Sequence, residues 1–195
     1  MIALVAVTVL SPSLPAVAAD GPPFEVRFPQ ETHVTMFASS FGARRSGGRR
    51  HQGVDLMAPK MTQVYAAAGG YVARVETSSL AGRYIEITHV AGWSTRYIHL
   101  NNDTPGTDDG SADWSLTLAP GVHVGAWVEA GQLIAWVGDS GNAEWTGSHT
   151  HFELAIDGRV IDPYQFLKDA WARDEKKYEA DLWDLVHPLD RYRVF

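Results

Sequence analysis

Residues 148–154 read Ser148-His149-Thr150-His151-Phe152-Glu153-Leu154. The second half of this stretch opens a run, residues 151–156, that is rich in apolar and aromatic residues and bounded by turn residues, and so reads as a strand. In a strand, side chains alternate across the sheet, so His149 and His151 share one face, about 6.6–7 Å apart, while Thr150 and Phe152 face the other way. Two imidazoles therefore belong to one site. A neutral imidazole is a common zinc ligand and also a general base near neutral pH. Spacing alone does not say which member of the pair would bind a metal.

Outward from this stretch the same texture recurs. Residues 64–67, 71–75, 84–89, 94–100, 133–137 and 151–156 are β-branched or aromatic runs bounded by Gly, Asn and Asp, which predicts an all-β domain. Two segments depart from it. Residues 101–121, with Asp103, Asp108, Asp109 and Asp113, read as a long polar surface loop bordering the site. From about residue 163 the period becomes helical, with Leu167, Trp171, Tyr178, Leu182 and Leu185 on one face and the end before Pro188. This predicts a C-terminal helical extension docked by its Trp and Leu residues. At the other end, residues 1–19 are uncharged, open on an apolar run and finish in small residues, the pattern of a cleaved signal peptide, although the usual basic residue near its start is missing. The run is too short to span a bilayer. The expected organisation is a signal peptide at 1–19, a lead-in at 20–36, a catalytic domain at 37–166 and the extension at 167–195.

Composition narrows the chemistry. A chain of 195 residues with 45% hydrophobic and 20% charged residues makes about one globular domain. A net charge of -7 argues against nucleic acid as a partner. Without Cys there is no disulfide frame, thiolate metal site or thiol nucleophile, which leaves the eight His residues as suspects. Two further clusters contain them. His51-Gln52-Gly53-Val54-Asp55 sets an imidazole and a carboxylate four residues apart, with Gly53 read as permitting a turn that closes both on one ion. In Tyr97-Ile98-His99-Leu100, strand alternation puts Tyr97 and His99 on one face.

Taken together, Phe41-Gly42-Ala43-Arg44, His51-Gln52-Gly53-Val54-Asp55-Leu56, Tyr97-Ile98-His99-Leu100, Gly131-Gln132-Leu133-Ile134, Gly138-Asp139-Ser140-Gly141-Asn142 and Gly147-Ser148-His149-Thr150-His151-Phe152-Glu153 resemble the lysostaphin/LytM-type zinc endopeptidases, in that family's order, over about residues 37–166. The resemblance implies the duplicated hybrid motif, a mainly antiparallel β barrel-sandwich hybrid with a groove, and hydrolysis of peptide bonds in bacterial peptidoglycan. By matching position it implies that His51, Asp55 and His151 hold one Zn2+ per chain, with an open position for water. His149 and His99 would stand beside that water as general base and transition-state stabiliser, in either order. Arg44, Tyr97 and Trp145 are the candidates for binding substrate, Arg44 within a basic stretch that runs to Arg50 and could attract stem-peptide carboxylates. The expected protein is an exported monomer at the cell wall, periplasm or outside, acting on peptidoglycan peptides. The competing expectation is a latent relative that binds the wall or activates another hydrolase, its groove covered by the helical extension.

Overall fold

The structure, a computed structural model, describes residues 21–186. The expected signal peptide and the chain from residue 187 onward lie outside the described residues. Nine strands are found among the described residues: β1 (Val54–Met57), β2 (Gln63–Tyr65), β3 (Gly70–Ser78), β4 (Gly82–Thr88), β5 (Trp93–Leu100), β6 (Trp127–Val128), β7 (Leu133–Trp136), β8 (His149–Ile156) and β9 (Arg159–Ile161), followed by α1 (Tyr164–Val186). Seven form one antiparallel sheet in the order β1-β8-β5-β4-β3-β6, with β9 beside the far half of β8; β2 and β7 pair separately. This is the β domain with a C-terminal helix that the patterning predicts, and the mainly antiparallel arrangement that the family resemblance implies.

The six strands expected from the sequence correspond to β2, β3, β4, β5, β7 and β8. Strands β1, β6 and β9 were not expected: β6 is two residues long, and β1 is half of the His51–Asp55 motif, so its polar residues mask its period. Strand β9 follows a two-residue turn, Asp157-Gly158, with φ of 48° and 76°. An Asp-Gly pair between apolar runs is a hairpin signal that a closer reading would have used.

The core lies beneath the concave sheet. Val54, Leu56, Ile85, Ile87, Leu100, Phe152 and Leu154 are fully buried there, each contributing about 1.5–3 kcal/mol through burial. Phe152 meets Tyr97 edge-on at 5.5 Å. The lead-in belongs to this core rather than preceding it. Val26 and Phe28 are buried, and the Arg27 N–H donates to Ala67 O at 2.7 Å.

Helix α1 begins where Asp162 Oδ1 accepts the Tyr164 N–H at 2.9 Å, just after Pro163, which has no N–H to leave unpaired. Its first half buries Leu167 and Ala170 and grips the lead-in: Asp174 accepts from Phe28 N at 2.9 Å and pairs with Arg27 at 3.1 Å. Tyr178 stacks on His33 at 4.6 Å. The expected docking fails in the second half, where Leu182 and Leu185 are exposed, Leu185 by 75%. The helix outruns the surface it packs on, a limit that periodicity cannot reveal.

The 101–121 segment also differs from the expected loose surface loop. Asn101, Asp103, Ala112, Thr117 and Ala119 are buried. Arg83 donates to Ala112 O at 2.6 Å and to Thr117 Oγ1 at 2.5 Å, and its guanidinium sits 4.8 Å over the Trp114 ring. The longest solvent-facing run is the tip, residues 105–111.

Candidate metal centre and groove

Strand register builds the centre. β1 pairs with β8 so that Asp55 lies directly opposite His151 and Met57 opposite His149. His51, four residues before Asp55, returns over the same spot because Gly53 lets the chain approach β8. A Cβ on Gly53 would sit 2.2 Å from Phe152 O and 2.7 Å from His151 Nε2. The glycine is required for closeness to β8; its φ is not left-handed, so the expected unusual turn is not its role.

His51 Nε2, Asp55 Oδ1 and His151 Nδ1 form a triangle with edges of 2.8, 2.9 and 2.9 Å. The remaining nitrogen of each ring is spoken for. His51 Nδ1 donates to Ser40 O at 2.9 Å, and His151 Nε2 donates to Glu153 Oε1 at 3.3 Å. These acceptors fix the tautomers that aim both lone pairs at the shared point. Burial alone would raise the Asp55 pKa, but hydrogen bonds to His151 and His51 hold its carboxyl far below the usual range. Burial alone would lower the His151 pKa, and the bonds to Asp55 and Glu153 raise it instead. The raised His151 value reflects the two carboxylates, Asp55 and Glu153, that flank its ring, a negative field that favours a cation.

Two more imidazoles stand beside the triangle. His149, on β8, donates from Nδ1 to Gly147 O at 2.8 Å, and its Nε2 lies 3.8 Å from Asp55 Oδ1. His99 donates from Nδ1 to Ser140 O at 2.8 Å, and its ring centroid is 5.0 Å from that of His149. Burial, followed by the neighbouring imidazoles and opposed by the carbonyl bond, lowers the His99 pKa to about 4. Burial also lowers that of His149. Both rings are therefore neutral at pH 7 with a free Nε2.

His99 reaches the site through a bulge. Between the pairs Ile85↔Tyr97 and Arg83↔Leu100, β5 advances three residues while β4 advances two. The extra residue leaves His99 with φ 64° and breaks the expected alternation. Tyr97, in the regular part of β5 opposite Phe152, faces the core instead of sharing the His99 face: it is 0% exposed and its hydroxyl accepts the Ala67 N–H at 2.7 Å. The expectation that Tyr97 touches substrate is thereby corrected, and Ile98, opposite His151, takes the lining position.

The site opens into a groove of about 580 Å³. Arg45, Arg49 and Arg50 line it, whereas the expected Arg44 is exposed outside the lining, its backbone bridged to Arg50. Arg45 went unselected because residues in a loop have no period to orient them. Its guanidinium bonds Asp55 Oδ2 at 2.5 Å. Trp145 is 92% exposed on the rim, next to Thr146, which does line the groove. The structure thus brings together His51, Asp55, His99, His149 and His151, and leaves Arg44 and Tyr97 outside. Glu153, two residues past His151 on the same face of β8, holds the His151 ring and is itself paired with Arg96 at 3.4 Å.

The sequence profile of Peptidase family M23 matches residues 49–163, and the chain belongs to that family. Its relatives include the peptidoglycan DD-endopeptidase ShyB of Vibrio cholerae, 30% identical over 141 residues that cover 70% of this chain and 29% of ShyB. A solved zinc-containing peptidase from Vibrio cholerae superposes with a TM-score of 0.56 at 28% identity, over 71% of this chain and 39% of that one. The catalytic domain of the antimicrobial peptidase lysostaphin from Staphylococcus simulans does so with a TM-score of 0.54 at 27% identity, over 69% of this chain and 92% of that domain. The chain spans about a fifth to a third of the length of the curated relatives it matches.

Proposed function

We propose that this chain is an exported zinc endopeptidase that hydrolyses peptide bonds of bacterial peptidoglycan, in a stem or a cross-bridge. The observation that carries the reading is the convergence of His51 Nε2, Asp55 Oδ1 and His151 Nδ1 on one point beside two neutral imidazoles. Two nitrogens and one carboxylate oxygen, each ring braced from behind, are the donor set of a catalytic zinc site that keeps one position open. One zinc ion held by these residues supplies polarisation of a scissile carbonyl and acidification of a water.

The remaining work falls to the chain. His149 and His99, neutral at pH 7 and each with Nδ1 committed to a carbonyl, offer Nε2 as proton acceptor and, once protonated, as hydrogen-bond donor to the developing oxyanion or leaving amine. The pair shares these roles. Arg45, Arg49 and Arg50 draw carboxylates of stem peptides into the groove against the overall charge of -7. Trp145 on the rim offers a stacking face. The uncharged, apolar leader at 1–19 supports export to the envelope, where peptidoglycan is met.

A latent wall-binding role has less support. All five metal and histidine positions are filled, and the described residues of α1 pack on the lead-in instead of lining the groove. The test is digestion of purified peptidoglycans of several bridge types by residues 20–195, with mass spectrometry of released fragments. Chelator-sensitive release of peptides with new amino termini is expected. No release from any wall by zinc-loaded protein would overturn the proposal.

A further inference from the structure

Outside the groove lining, one lysine bonds three carboxylates from two segments, and a fourth carboxylate stands beside them. Lys60 Nζ lies 2.7 Å from Asp103 Oδ2, 2.5 Å from Asp108 Oδ1 and 2.8 Å from Asp139 Oδ2. Carboxylate oxygens of Asp103, Asp108 and Glu144 fall within 4.8 Å of one another. Asp103 and Asp139 are only 1% and 4% exposed, and buried carboxylates must have a counter-charge. Burial alone would lower the Lys60 pKa, but its bonds to Asp103, Asp108 and Asp139 hold it above the usual lysine value. The ammonium is the cluster's own cation.

This cluster touches the catalytic side through the backbone. Asp139 is followed directly by Ser140, whose carbonyl accepts His99 Nδ1–H at 2.8 Å. Ser140 Oγ donates to Leu100 O at 2.7 Å and accepts the Arg83 N–H at 2.9 Å, so Ser140 grips the β5 bulge and the β4 residue beside it. The turn carrying Lys60 is anchored next to His149: Ser148 Oγ donates to Ala58 O at 2.7 Å, and Ala58 N donates to Ser148 O at 3.3 Å. One ammonium thus ties the segment beside His149, the segment that orients His99 and the stem of the 101–121 loop.

We infer that Lys60 is a positioning residue, which sets the His99 imidazole through Asp139 and Ser140 while tying the 101–121 loop to the Asp139–Ser140 turn. The inference rests on the proposed role of His99 in proton transfer. A merely structural ion pair would stabilise the fold and leave the His99 hydrogen bond and turnover untouched once folding is secured.

The test compares zinc-loaded wild type with Lys60→Arg, Lys60→Met and the triple variant Lys60→Met/Asp103→Asn/Asp139→Asn, labelled with 15N at the histidine rings. The triple variant strands no charge at either buried carboxylate, so it keeps the question answerable if the single variant fails to fold. In the folded Met-containing protein, the His99 Nδ1 resonance is expected to leave its hydrogen-bonded position. Its kcat on a soluble wall peptide should fall about tenfold to a hundredfold, with KM and bound zinc unchanged, the size expected from misplacing a reacting group by about an ångström. Lys60→Arg should retain most of both signals. An unchanged His99 resonance with wild-type kcat in either folded Met-containing variant would overturn the inference, as would loss of zinc in step with kcat. Wild-type protein that cuts no wall would overturn the proposed function alone, because the resonance still decides whether Lys60 sets His99.

Discussion

Asp55 divides its carboxylate between two kinds of partner: Oδ1 faces His51 and His151 at 2.9 Å each, and Oδ2 holds the Arg45 guanidinium at 2.5 Å. The guanidinium keeps the ligand carboxylate oriented, and its remaining N–H donors are available to the groove. It also places a positive charge a few ångströms from the proposed zinc position, where it would repel a dication. Arg45→Gln is therefore expected to bind zinc more tightly, by up to about tenfold, a modest figure because the guanidinium is partly solvent-screened. The same variant should raise KM for peptides with free carboxylates and leave that for their amides unchanged. Competition against a chromogenic chelator and paired peptide kinetics measure the two effects.

The tautomers assigned by the hydrogen bonds separate the two histidines of β8. His151→Ala removes a nitrogen from the triangle and should abolish both bound zinc and activity. His149→Ala should keep zinc near one per chain and lose about 10²- to 10⁴-fold in turnover, the usual contribution of a positioned acid or base. Elemental analysis beside a cleavage assay distinguishes them, and full activity in the His149 variant would remove it from the proton path.

Away from the groove, His89 is held by Gly69 O and Thr95 Oγ1, each 2.9 Å away, and burial lowers its pKa from 6.5 despite the bond to Gly69. The unfolded chain therefore takes up a proton at higher pH than the folded one. The contribution of His89 to stability is complete above about pH 6.5 and declines as the pH falls from there toward the lowered folded value. His89→Gln should start less stable at pH 7 and lose fewer degrees of Tm between pH 7 and 5 than the wild type, with metal content matched. An identical acid slope in the two proteins would contradict this.

The buried stem of the 101–121 segment makes a further forecast. Excising residues 101–121 removes Asn101, Asp103 and Thr117 together with the acceptors of Arg83, and is expected to abolish cooperative folding. Replacing only residues 105–107 of the exposed tip by a short Gly-Ser link should leave Tm within a few degrees, since that change keeps Lys60, Asp103 and Asp108. Thermal denaturation of the two deletions decides it.

The parts legible from sequence were those in which local pattern and three-dimensional placement coincide. His149 and His151 could be set on one face because β8 is regular, and His51 and Asp55 could be grouped because motif order brought them together by resemblance. His99 could be named in the same way, but its company could not. The extra residue in β5 is invisible to a period-two reading, so Tyr97 was carried to the groove with it. Arg44 and Arg45 are adjacent and chemically identical; only the path of the loop decides that Arg45 meets Asp55. Val26, Phe28 and Leu185 fail for a tertiary reason, since whether an apolar residue is covered depends on a partner distant in the chain.

The bulge at His99 sets stability and chemistry against each other at a single position. A non-glycine residue at φ 64° carries backbone strain of about 1 kcal/mol or more, which glycine would release. Selection for thermal resistance alone would therefore drift toward glycine or asparagine here and erase the imidazole. Stabilising this scaffold by consensus of backbone preference would remove the imidazole proposed to move a proton, so robustness has to be gained elsewhere, for example where α1 leaves Leu182 and Leu185 uncovered.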